Sequence, residues 1–355
     1  MLSGQYRFDC EMCEGRESVV LGFSGGIDSV TAATILKRRY ERVVAVTLDT
    51  IGDEIMLSRA AESAAQLGIE HIVLDVRQKF SAQIIDYFID SYACGRTPAP
   101  CTLCNSAIKW HFLACVADDL GINHIATGHY FNVVQHNGFY YVARAKDSVK
   151  DQSYYLWGLG QDILCRIVTP MGDIIKQDIK RNFSDKSESM GICFLRGQNY
   201  RDFITRHRAE LATRGVVVDF EGKAVGSHDG VAFYTIGQKR GFELGDCASG
   251  KSVVDIDAER NELRVGGESE LLKVILEVGN CNIVDFNELL TAGDVSVVVR
   301  GIGRNPAGYI RKAEQTSYGV RITLSEPAWA LAAGQPIVFY RQNRVIGGGF
   351  LRCSY

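Results

Sequence analysis

The chain has 355 residues, 46% of them hydrophobic and 23% charged, with a formal net charge of −3, and this length predicts two or three domains with substantial apolar cores. It lacks an apolar stretch long enough to span a membrane, and acidic residues near its start argue against a targeting peptide, so we expect a cytoplasmic protein that does not enter membranes. Its 11 cysteines are odd in number and scattered, which argues against a secreted disulfide framework.

The N-terminal part of the chain alternates short apolar runs with helical patterns that end at glycine. Such alternation is typical of an α/β fold with a doubly wound parallel sheet. We predict this fold for a catalytic domain over residues 1–200, with a leader over residues 1–18. The predicted strands are residues 19–23, 43–48, 71–76 and 124–127, and the predicted helices are residues 29–39, 56–67 and 107–120.

Beyond residue 200 the helical pattern fades and glycine-punctuated β-like runs take over. We predict a small central domain over residues 201–270 and a C-terminal β-barrel over residues 271–355. The β-like runs of the central domain are residues 215–219, 231–236, 252–256 and 262–265, and those of the barrel are residues 274–278, 294–300, 319–324 and 336–340.

The turn Ser24-Gly25-Gly26-Ile27-Asp28-Ser29 lies between the first predicted strand and helix. Gly25 and Gly26 allow close approach of phosphate to backbone N–H groups at a helix start. Asp28 fits a role as partner of Mg²⁺ bound to ATP phosphates. Because the turn lacks the lysine of a Walker loop, cleavage between the α and β phosphates fits better than transfer of the terminal phosphate. An ordinary helix-capping turn is the alternative.

Three cysteines are candidates for chemistry. Cys101 and Cys104 follow two prolines on a predicted stiff loop before a helix, and Cys193 lies in a basic segment; both settings favour thiolates with lowered pKa. The Cys-x-x-Cys pair also fits a zinc half-site, a redox pair or part of an iron-sulfur site, and Cys193 alone fits a packed thiol.

Positive charge is concentrated in two segments. Residues 300–355 contain eight Arg and Lys against two Glu, and residues 176–214 contain nine against five acidic residues. This distribution fits a polyanion such as RNA, although solvated surfaces of ordinary domains explain the charge equally well. In the segment 231–241, Lys239 and Arg240 are the best candidates for contact with such an RNA.

Several motifs occur in an order that resembles the bacterial and mitochondrial tRNA-uridine 2-sulfurtransferases, also called 2-thiouridylases, of the ATP pyrophosphatase superfamily. The resemblance covers nearly the whole chain. The glycine-rich turn is shared by many ATP pyrophosphatases, but Gly191-Ile192-Cys193-Phe194 and the segment 234–241 point to this family. The motifs are Ser24 to Ser29, Pro100-Cys101-Thr102-Leu103-Cys104-Asn105, Ala126 to Tyr130, Lys150 to Tyr154, Gly191 to Phe194 and Tyr234 to Gly241.

The resemblance implies an ATP-dependent transferase. ATP would adenylate the C2 oxygen of the wobble uridine, Cys193 would carry a persulfide delivered by a sulfur-relay protein, and Cys104 would release the sulfur by forming a disulfide with Cys193. The implied nucleotide-binding residues are Gly22, Phe23, Ser24, Gly25, Gly26, Ile27, Asp28, Ser29, Leu48 and Gly128.

The resemblance also implies the RNA contacts. The target base would be flipped out of the anticodon stack and held near Ala99, Pro100 and Cys101. The other implied tRNA-binding residues are His129, Lys150, Asp151, Gln152, Arg304, Asn305 and Gln335. We expect the free protein to be a monomer.

The sequence departs from the family pattern at two positions. Cys101 stands where several members have Asp, and Ala99 replaces a common Asn. Cys101, Cys104 and Cys193 therefore offer three thiolates for an iron-sulfur cluster. For Cys10 and Cys13 in the leader we expect surface thiols rather than a metal-binding pair.

The sequence is also compatible with two other functional classes. An ATP-dependent amidating ligase uses a similar nucleotide loop but needs neither Cys104 nor Cys193. A noncatalytic RNA-binding relative would tolerate loss of Asp28.

Overall fold

The structure is a computed structural model that describes residues 18–180, 191–245, 250–291, 293–301 and 303–355. The leader with Cys10 and Cys13, and part of the basic segment 176–214, lie outside these residues. The strands of the first domain are β1 (Ser18–Gly22), β2 (Arg42–Asp49), β3 (Glu70–Asp75), β4 (His124–Thr127), β5 (Asn132–His136), β6 (Phe139–Ala143) and β7 (Ile167–Val168). A parallel sheet in the order β3-β2-β1-β4-β7 confirms the predicted doubly wound fold.

Helices cover both faces of this sheet. Because successive side chains of a strand point to opposite faces, Val19 and Leu21 pack with α1 and α2, whereas Val20 packs with α6. The helices are α1 (Ile27–Leu36), α2 (Glu54–Leu67), α3 (Arg77–Phe80), α4 (Asp86–Ala93), α5 (Pro100–Cys104), α6 (Trp110–Asp119), α7 (Gln161–Leu164) and α8 (Lys176–Lys180).

The strand order reverses between β1 and β4. The chain runs from β1 outward through β2 to β3 and then returns to the other side of β1 as β4. Ligands of doubly wound sheets bind at such a switch point, beyond the carboxyl ends of the strands. The loops after β1 and β4 therefore occupy the favoured position for a nucleotide.

The helix predicted from residue 107 begins earlier than expected. A π-helical turn, Asn105–Lys109, joins α5 to α6, and Pro100 occupies the first turn of α5, where its missing N–H costs no hydrogen bond. Cys101 and Cys104 therefore lie inside the helix, and their predicted place on a loop before it was wrong. A second π-helical turn, Ser81–Ile85, joins α3 to α4.

The central domain contains α9 and a mostly antiparallel sheet in the order β10-β9-β8-β12-β11. Residues 231–236 do not form the predicted strand. They begin with a short helical turn, Val231–Phe233, and their apolar run reflects burial of the four consecutive residues Val231 to Tyr234 in a core shared with the first domain. The elements are α9 (Tyr200–His207), β8 (Gly215–Val218), β9 (Ala224–His228), β10 (Glu243–Leu244), β11 (Ser252–Asp257) and β12 (Glu262–Gly266).

The C-terminal domain is an antiparallel β-barrel, as predicted. Its elements are β13 (Leu272–Ile283), α10 (Phe286–Thr291), β14 (Val295–Val298), β15 (Ile310–Thr316), β16 (Gly319–Trp329), β17 (Pro336–Arg341) and β18 (Arg344–Ser354). The strands follow the order β14-β17-β18-β13-β16-β15, and a bridge between Ser296 and Tyr309 brings the two edges together. The hairpin β5–β6 of the first domain extends this sheet through the pair Arg344 and Ala143.

The three domains share cores. Val338 and Tyr340 of the barrel pack in the cluster that contains Trp110 of α6. In the same way, Leu263 of the central domain packs in the cluster that contains Phe88 of α4. The first domain therefore shares one core with the barrel and another with the central domain. No helix among the described residues has the length and apolar character needed to cross a membrane.

Candidate active site

The glycine-rich turn connects β1 to α1 through backbone that only glycine accommodates easily. Gly25 has a φ of +69°, and a Cβ there would lie 2.8 Å from the Cα of Ala60. Gly26 caps α1 in an extended conformation, and its helix start has no side-chain cap, so N–H groups of the first turn remain available to an anion. The Ser24 and Ser29 hydroxyls lie 3.4 Å apart beside it.

The loop after β4 packs directly on this turn. A Cβ at Gly128 would lie 2.9 Å from the backbone nitrogen of Ser29. Phe23 and Ile27 are buried in the core, so they can meet a nucleotide only through their backbone. Leu48, near the end of β2, is partly buried against two cores. Their assignment to the nucleotide site, with that of Gly22, stays a prediction.

Asp28 is held by two residues that sequence reasoning missed. The Tyr130 hydroxyl donates to Asp28 Oδ1 at 2.7 Å, and the Lys176 ammonium donates to the same oxygen. Lys176 is only 4% exposed, whereas Asp28 is 39% exposed. Although the turn has no lysine of its own, the fold supplies one from α8.

Magnesium bound to ATP usually takes one or two carboxylate oxygens from the protein and its other ligands from phosphate and water. Both described contacts of Asp28 use Oδ1, which leaves Oδ2 as a suitable single ligand. The carboxylate therefore fits the magnesium role predicted for it.

Cys104 is 5% exposed and Cys101 is partly buried. Burial raises the pKa of Cys104 to about 11 and also raises that of Cys101; the charge of Lys109 opposes both shifts. The lowered pKa values that we expected for these thiols were wrong, because desolvation outweighs the helix start.

The segment that carries Cys193 packs on the core that contains Cys104, although the two cysteines are distant in the chain. A charge on Cys193 contributes to raising the pKa of both Cys101 and Cys104. The next residue, Phe194, anchors it by packing edge-to-face on Phe88, with ring centroids 5.1 Å apart, in the core that contains Cys104. Cys193 itself is exposed, and all three thiols are free.

The three cysteines do not form a metal centre in this conformation. Over the part of the chain that the structure describes, no group of three or more His, Cys, Asp or Glu side chains is arranged to hold a metal ion. The geometry therefore does not support the iron-sulfur site that their sequence positions suggested.

His129 links the nucleotide turn to the thiols. It follows Gly128, its Nδ1 lies 2.7 Å from the Thr127 hydroxyl, and its ring stacks on Trp110 of the cysteine-bearing helix. Burial, assisted by the charge of Lys109, lowers the pKa of His129 to about 3. The imidazole is therefore neutral at physiological pH.

The segment 150–155 forms hydrogen bonds that hold the backbone around Tyr130 and Ala145. The Asp151 carboxylate, 8% exposed, accepts hydrogen bonds from the Ala145 and Ser153 backbones and from the Ser153 hydroxyl. Gln152 Oε1 accepts from the Tyr130 backbone at 2.9 Å. The side chains of Asp151 and Gln152 are therefore engaged in hydrogen bonds within the protein. Direct contact of Lys150, Asp151 and Gln152 with tRNA stays a prediction.

The side chains of two predicted RNA-binding residues of the barrel also form hydrogen bonds within the protein. Gln335 is 7% exposed and bonds to the Ala332 nitrogen and the Val299 oxygen. Asn305 accepts from the Val299 and Arg300 nitrogens, which shapes the loop that carries Arg304. Their tRNA contacts also stay predictions.

The exposed candidates come from two domains. Arg304 is exposed, lies 3.7 Å from Glu268 and approaches the Trp329 ring at 5.9 Å. Lys239 and Arg240 are exposed and follow Gly237, where a Cβ would lie 2.7 Å from the Cβ of Ala330. The central domain and the barrel therefore meet beside Trp329 with cations on both sides.

The loop predicted to hold the target base lies at the junction of all three domains. The Thr97 nitrogen donates to the Ala333 oxygen of the barrel at 2.8 Å, and its hydroxyl lies 3.5 Å from that of Thr235 in the central domain. Ala99, Pro100 and Cys101 follow directly. This junction places the cysteine-bearing segment against the two domains that carry the exposed cations.

Family models match three consecutive parts of the chain. The tRNA methyl transferase HUP domain matches residues 17–197, the tRNA methyl transferase PRC-barrel domain matches residues 201–267, and the aminomethyltransferase β-barrel domain matches residues 292–351.

Curated relatives are similar over almost their full length. The tRNA-specific 2-thiouridylase MnmA 3 of Bacteroides fragilis is 39% identical over 96% of this chain and 95% of its own. The MnmA of Carboxydothermus hydrogenoformans is 37% identical over 94% and 97%, and that of Clostridium acetobutylicum is 33% identical over 95% and 99%. The resemblance seen in the motifs is thereby confirmed, and the chain belongs to the family of tRNA-specific 2-thiouridylases.

Proposed function

We propose that the protein replaces the C2 oxygen of the wobble uridine of tRNA with sulfur and uses ATP to activate that oxygen. The activity for which its relatives are named supports the substrate and the reaction. One structural observation carries the proposal: Cys104 and Cys193 are distant in the chain, yet Phe194, the residue after Cys193, packs in the core that contains Cys104. This core lies beside a helix that contacts the nucleotide loop through Trp110 and His129.

The first step uses the glycine-rich turn. ATP phosphates would lie at Gly25, Gly26 and the start of α1, with Lys176 close enough to compensate negative charge. The uridine C2 oxygen attacks the α-phosphorus, the bond to the β-phosphate oxygen breaks, and pyrophosphate leaves. Magnesium held by Asp28 would neutralise charge on the departing pyrophosphate.

The second step uses the thiols. A sulfur-relay protein supplies a persulfide on exposed Cys193, whose terminal sulfur attacks C2 and displaces AMP. The Cys104 thiolate then attacks the Cys193 sulfur, the sulfur–sulfur bond to the substrate breaks, and the electron pair stays on the base as 2-thiouridine. The resulting Cys104–Cys193 disulfide requires an external thiol reductant before the next turnover.

The substrate is polyanionic, so the exposed cations support binding. Lys239, Arg240 and Arg304 would contact phosphates of the anticodon arm. The uridine would be flipped toward Ala99, Pro100 and Cys101, where partial burial excludes water from the reacting carbon. The partly exposed ring of His129, neutral and already hydrogen-bonded, is suited to hydrogen bonding or stacking rather than to binding phosphate.

The decisive variant is Cys193→Ser, with Cys115→Ser as the matched control because Cys115 is also exposed. Mass spectrometry of tRNA nucleosides should show no 2-thiouridine with Cys193→Ser and normal amounts with Cys115→Ser. Pyrophosphate release that depends on tRNA should persist in both variants, because the first step needs no thiol.

The outcomes separate the functional classes. Full thiolation by Cys193→Ser would contradict the sulfur route. An amidating ligase would retain its product in that variant, and a noncatalytic RNA-binding protein would release no pyrophosphate even as wild type.

A further inference from the structure

A cavity of about 480 Å³ lies where the three domains meet. The first domain contributes Cys94 to Arg96, the central domain contributes Phe220 and Val254 to Ile256, and the barrel contributes Lys273 and Leu351 to Ser354. The first and central domains pack closely at the cavity, since a Cβ at Gly95 would lie 2.7 Å from the Ile256 side chain. Its volume is in the range of small-ligand sites.

Four cations line this cavity: Arg96, Arg264, Lys273 and Arg352. Arg96, Lys273 and Arg352 form no ion pair with a described residue, and the Arg352 guanidinium lies 4.5 Å from the centre of the Tyr318 ring. Of its two acidic residues, Asp255 lies 3.7 Å from Arg264, and Glu270 accepts from the neutral Ser269 hydroxyl at 2.9 Å and keeps its charge. Because four cations face two carboxylates, the cavity is electropositive and suited to phosphate.

An aromatic ring stands beside these cations. Phe220 occupies the turn between β8 and β9, lines the cavity and is 75% exposed. A large apolar ring left this open loses the benefit of burial, so its position favours a planar ligand. Unstacked nucleotide bases stack on such rings while nearby cations hold their phosphates.

The cavity adjoins the loop that would hold the target uridine. Arg96 precedes Cys101 by five residues, which limits their Cα separation to roughly 17 Å even in extended chain. Ala333 lines the cavity, and its carbonyl oxygen accepts a hydrogen bond from the Thr97 nitrogen of this loop. A nucleotide near the flipped uridine can therefore reach the cavity.

We propose that this cavity is a second nucleotide pocket, which takes an unstacked nucleotide with its base on Phe220 and its phosphate on Arg96, Lys273 and Arg352. The inference rests on the proposed action on tRNA and assigns the nucleotide to that RNA. A free nucleotide has the same chemistry, so the experiment must separate the two sources.

Two cysteines of the cavity serve as reporters. Cys94 and Cys353 are exposed and line it, whereas exposed Cys115 lies elsewhere on α6. Saturating tRNA should slow alkylation of Cys94 and Cys353 by iodoacetamide but not that of Cys115. Protection by UMP or AMP without protection by tRNA would assign the cavity to a free nucleotide and overturn the RNA assignment.

Two variants test the groups separately. Phe220→Ala should weaken tRNA binding by about 5-fold to 150-fold, the range for losing one stacked base, whereas Phe139→Ala, at an exposed ring of β6, should leave it unchanged. Lys273→Gln should reduce the slope of log affinity against log salt by about one, with exposed Lys312→Gln as control.

The failures are distinguishable. Wild-type affinity in Phe220→Ala and Lys273→Gln, together with unprotected Cys94 and Cys353, would overturn the pocket even while the protein thiolates tRNA. Absence of tRNA binding and thiolation in the wild-type protein would instead overturn the proposed function on which the pocket rests.

Discussion

The nucleotide turn and the thiol site lie on one domain but are prepared to different degrees. At the turn, close contacts made by Gly25 and Gly128 fix the backbone, and Asp28 already contacts Lys176. At the thiol site the residues are close together, but burial keeps Cys101 and Cys104 protonated at neutral pH. The proposed phosphate site is thus preformed by the fold, whereas the proposed sulfur transfer also requires deprotonation of Cys104.

The largest effect should come from the ion pair of the nucleotide turn. Asp28→Asn removes the carboxylate that the buried Lys176 ammonium contacts, and this should destabilise the protein by about 3 kcal/mol. Lys176→Met leaves Asp28, which is partly exposed and can be hydrated, so it should destabilise less. Chemical unfolding measures both changes.

Both variants should also lower tRNA-dependent pyrophosphate release, by about 10²-fold or more, because charge stabilisation at the phosphates is lost. The double variant Asp28→Asn with Lys176→Met should recover stability without recovering activity. Normal pyrophosphate release by either single variant would show that this pair does not serve the nucleotide.

The rigidity of the turn can be tested at Gly128. Gly128→Ala places a Cβ 2.9 Å from the Ser29 nitrogen and 3.0 Å from the Asp28 carbonyl carbon, which should displace the start of α1. A displacement of about 1 Å can cost about 10²-fold in rate, so pyrophosphate release should fall by that order. Gly293→Ala, which meets no described atom within 4 Å, should retain activity.

The thiol site should respond to pH instead. With a pKa of about 11, the Cys104 thiolate fraction at pH 8 is roughly 10²-fold below that of an ordinary thiol. Its alkylation in the free protein should be correspondingly slow and should increase about tenfold per pH unit between pH 8 and 10. Peptide mass spectrometry after timed alkylation measures this, and a flat profile would contradict the assigned burial effect.

Sequence patterns within short segments predicted much of the fold. The turn 24–29 lies between a strand and a helix because its glycines and neighbouring apolar runs encode that geometry locally. The strand at residues 124–127 and the end of α2 at Gly68, with φ +62°, also follow from short segments. These features depend on residues that are close in the chain.

What sequence reasoning missed depends on contacts between distant segments. Nothing near Lys176 in the chain indicates that it meets Asp28, and nothing near Cys104 indicates that tertiary packing will bury it. The apolar run at residues 231–236 resembled a strand because packing into a shared core requires the same kinds of residue. A helix start was correctly associated with Cys101, but the desolvation that reverses its pKa shift was not visible.

The smallest effect is expected from substitution of Lys109. The charge of this residue lowers the pKa of Cys101 and Cys104 and so opposes the effect of burial. Lys109→Gln should raise both pKa values further and slow alkylation of Cys104 by about threefold to tenfold, as expected for losing one nearby charge. Lys109→Arg should preserve the wild-type rate because it keeps the charge. Pyrophosphate release should change in neither variant, since the first step needs no thiolate. Equal slowing by Gln and Arg would mean that Lys109 acts through packing, and a parallel loss of pyrophosphate release would mean that the nucleotide turn and the thiols are not separable.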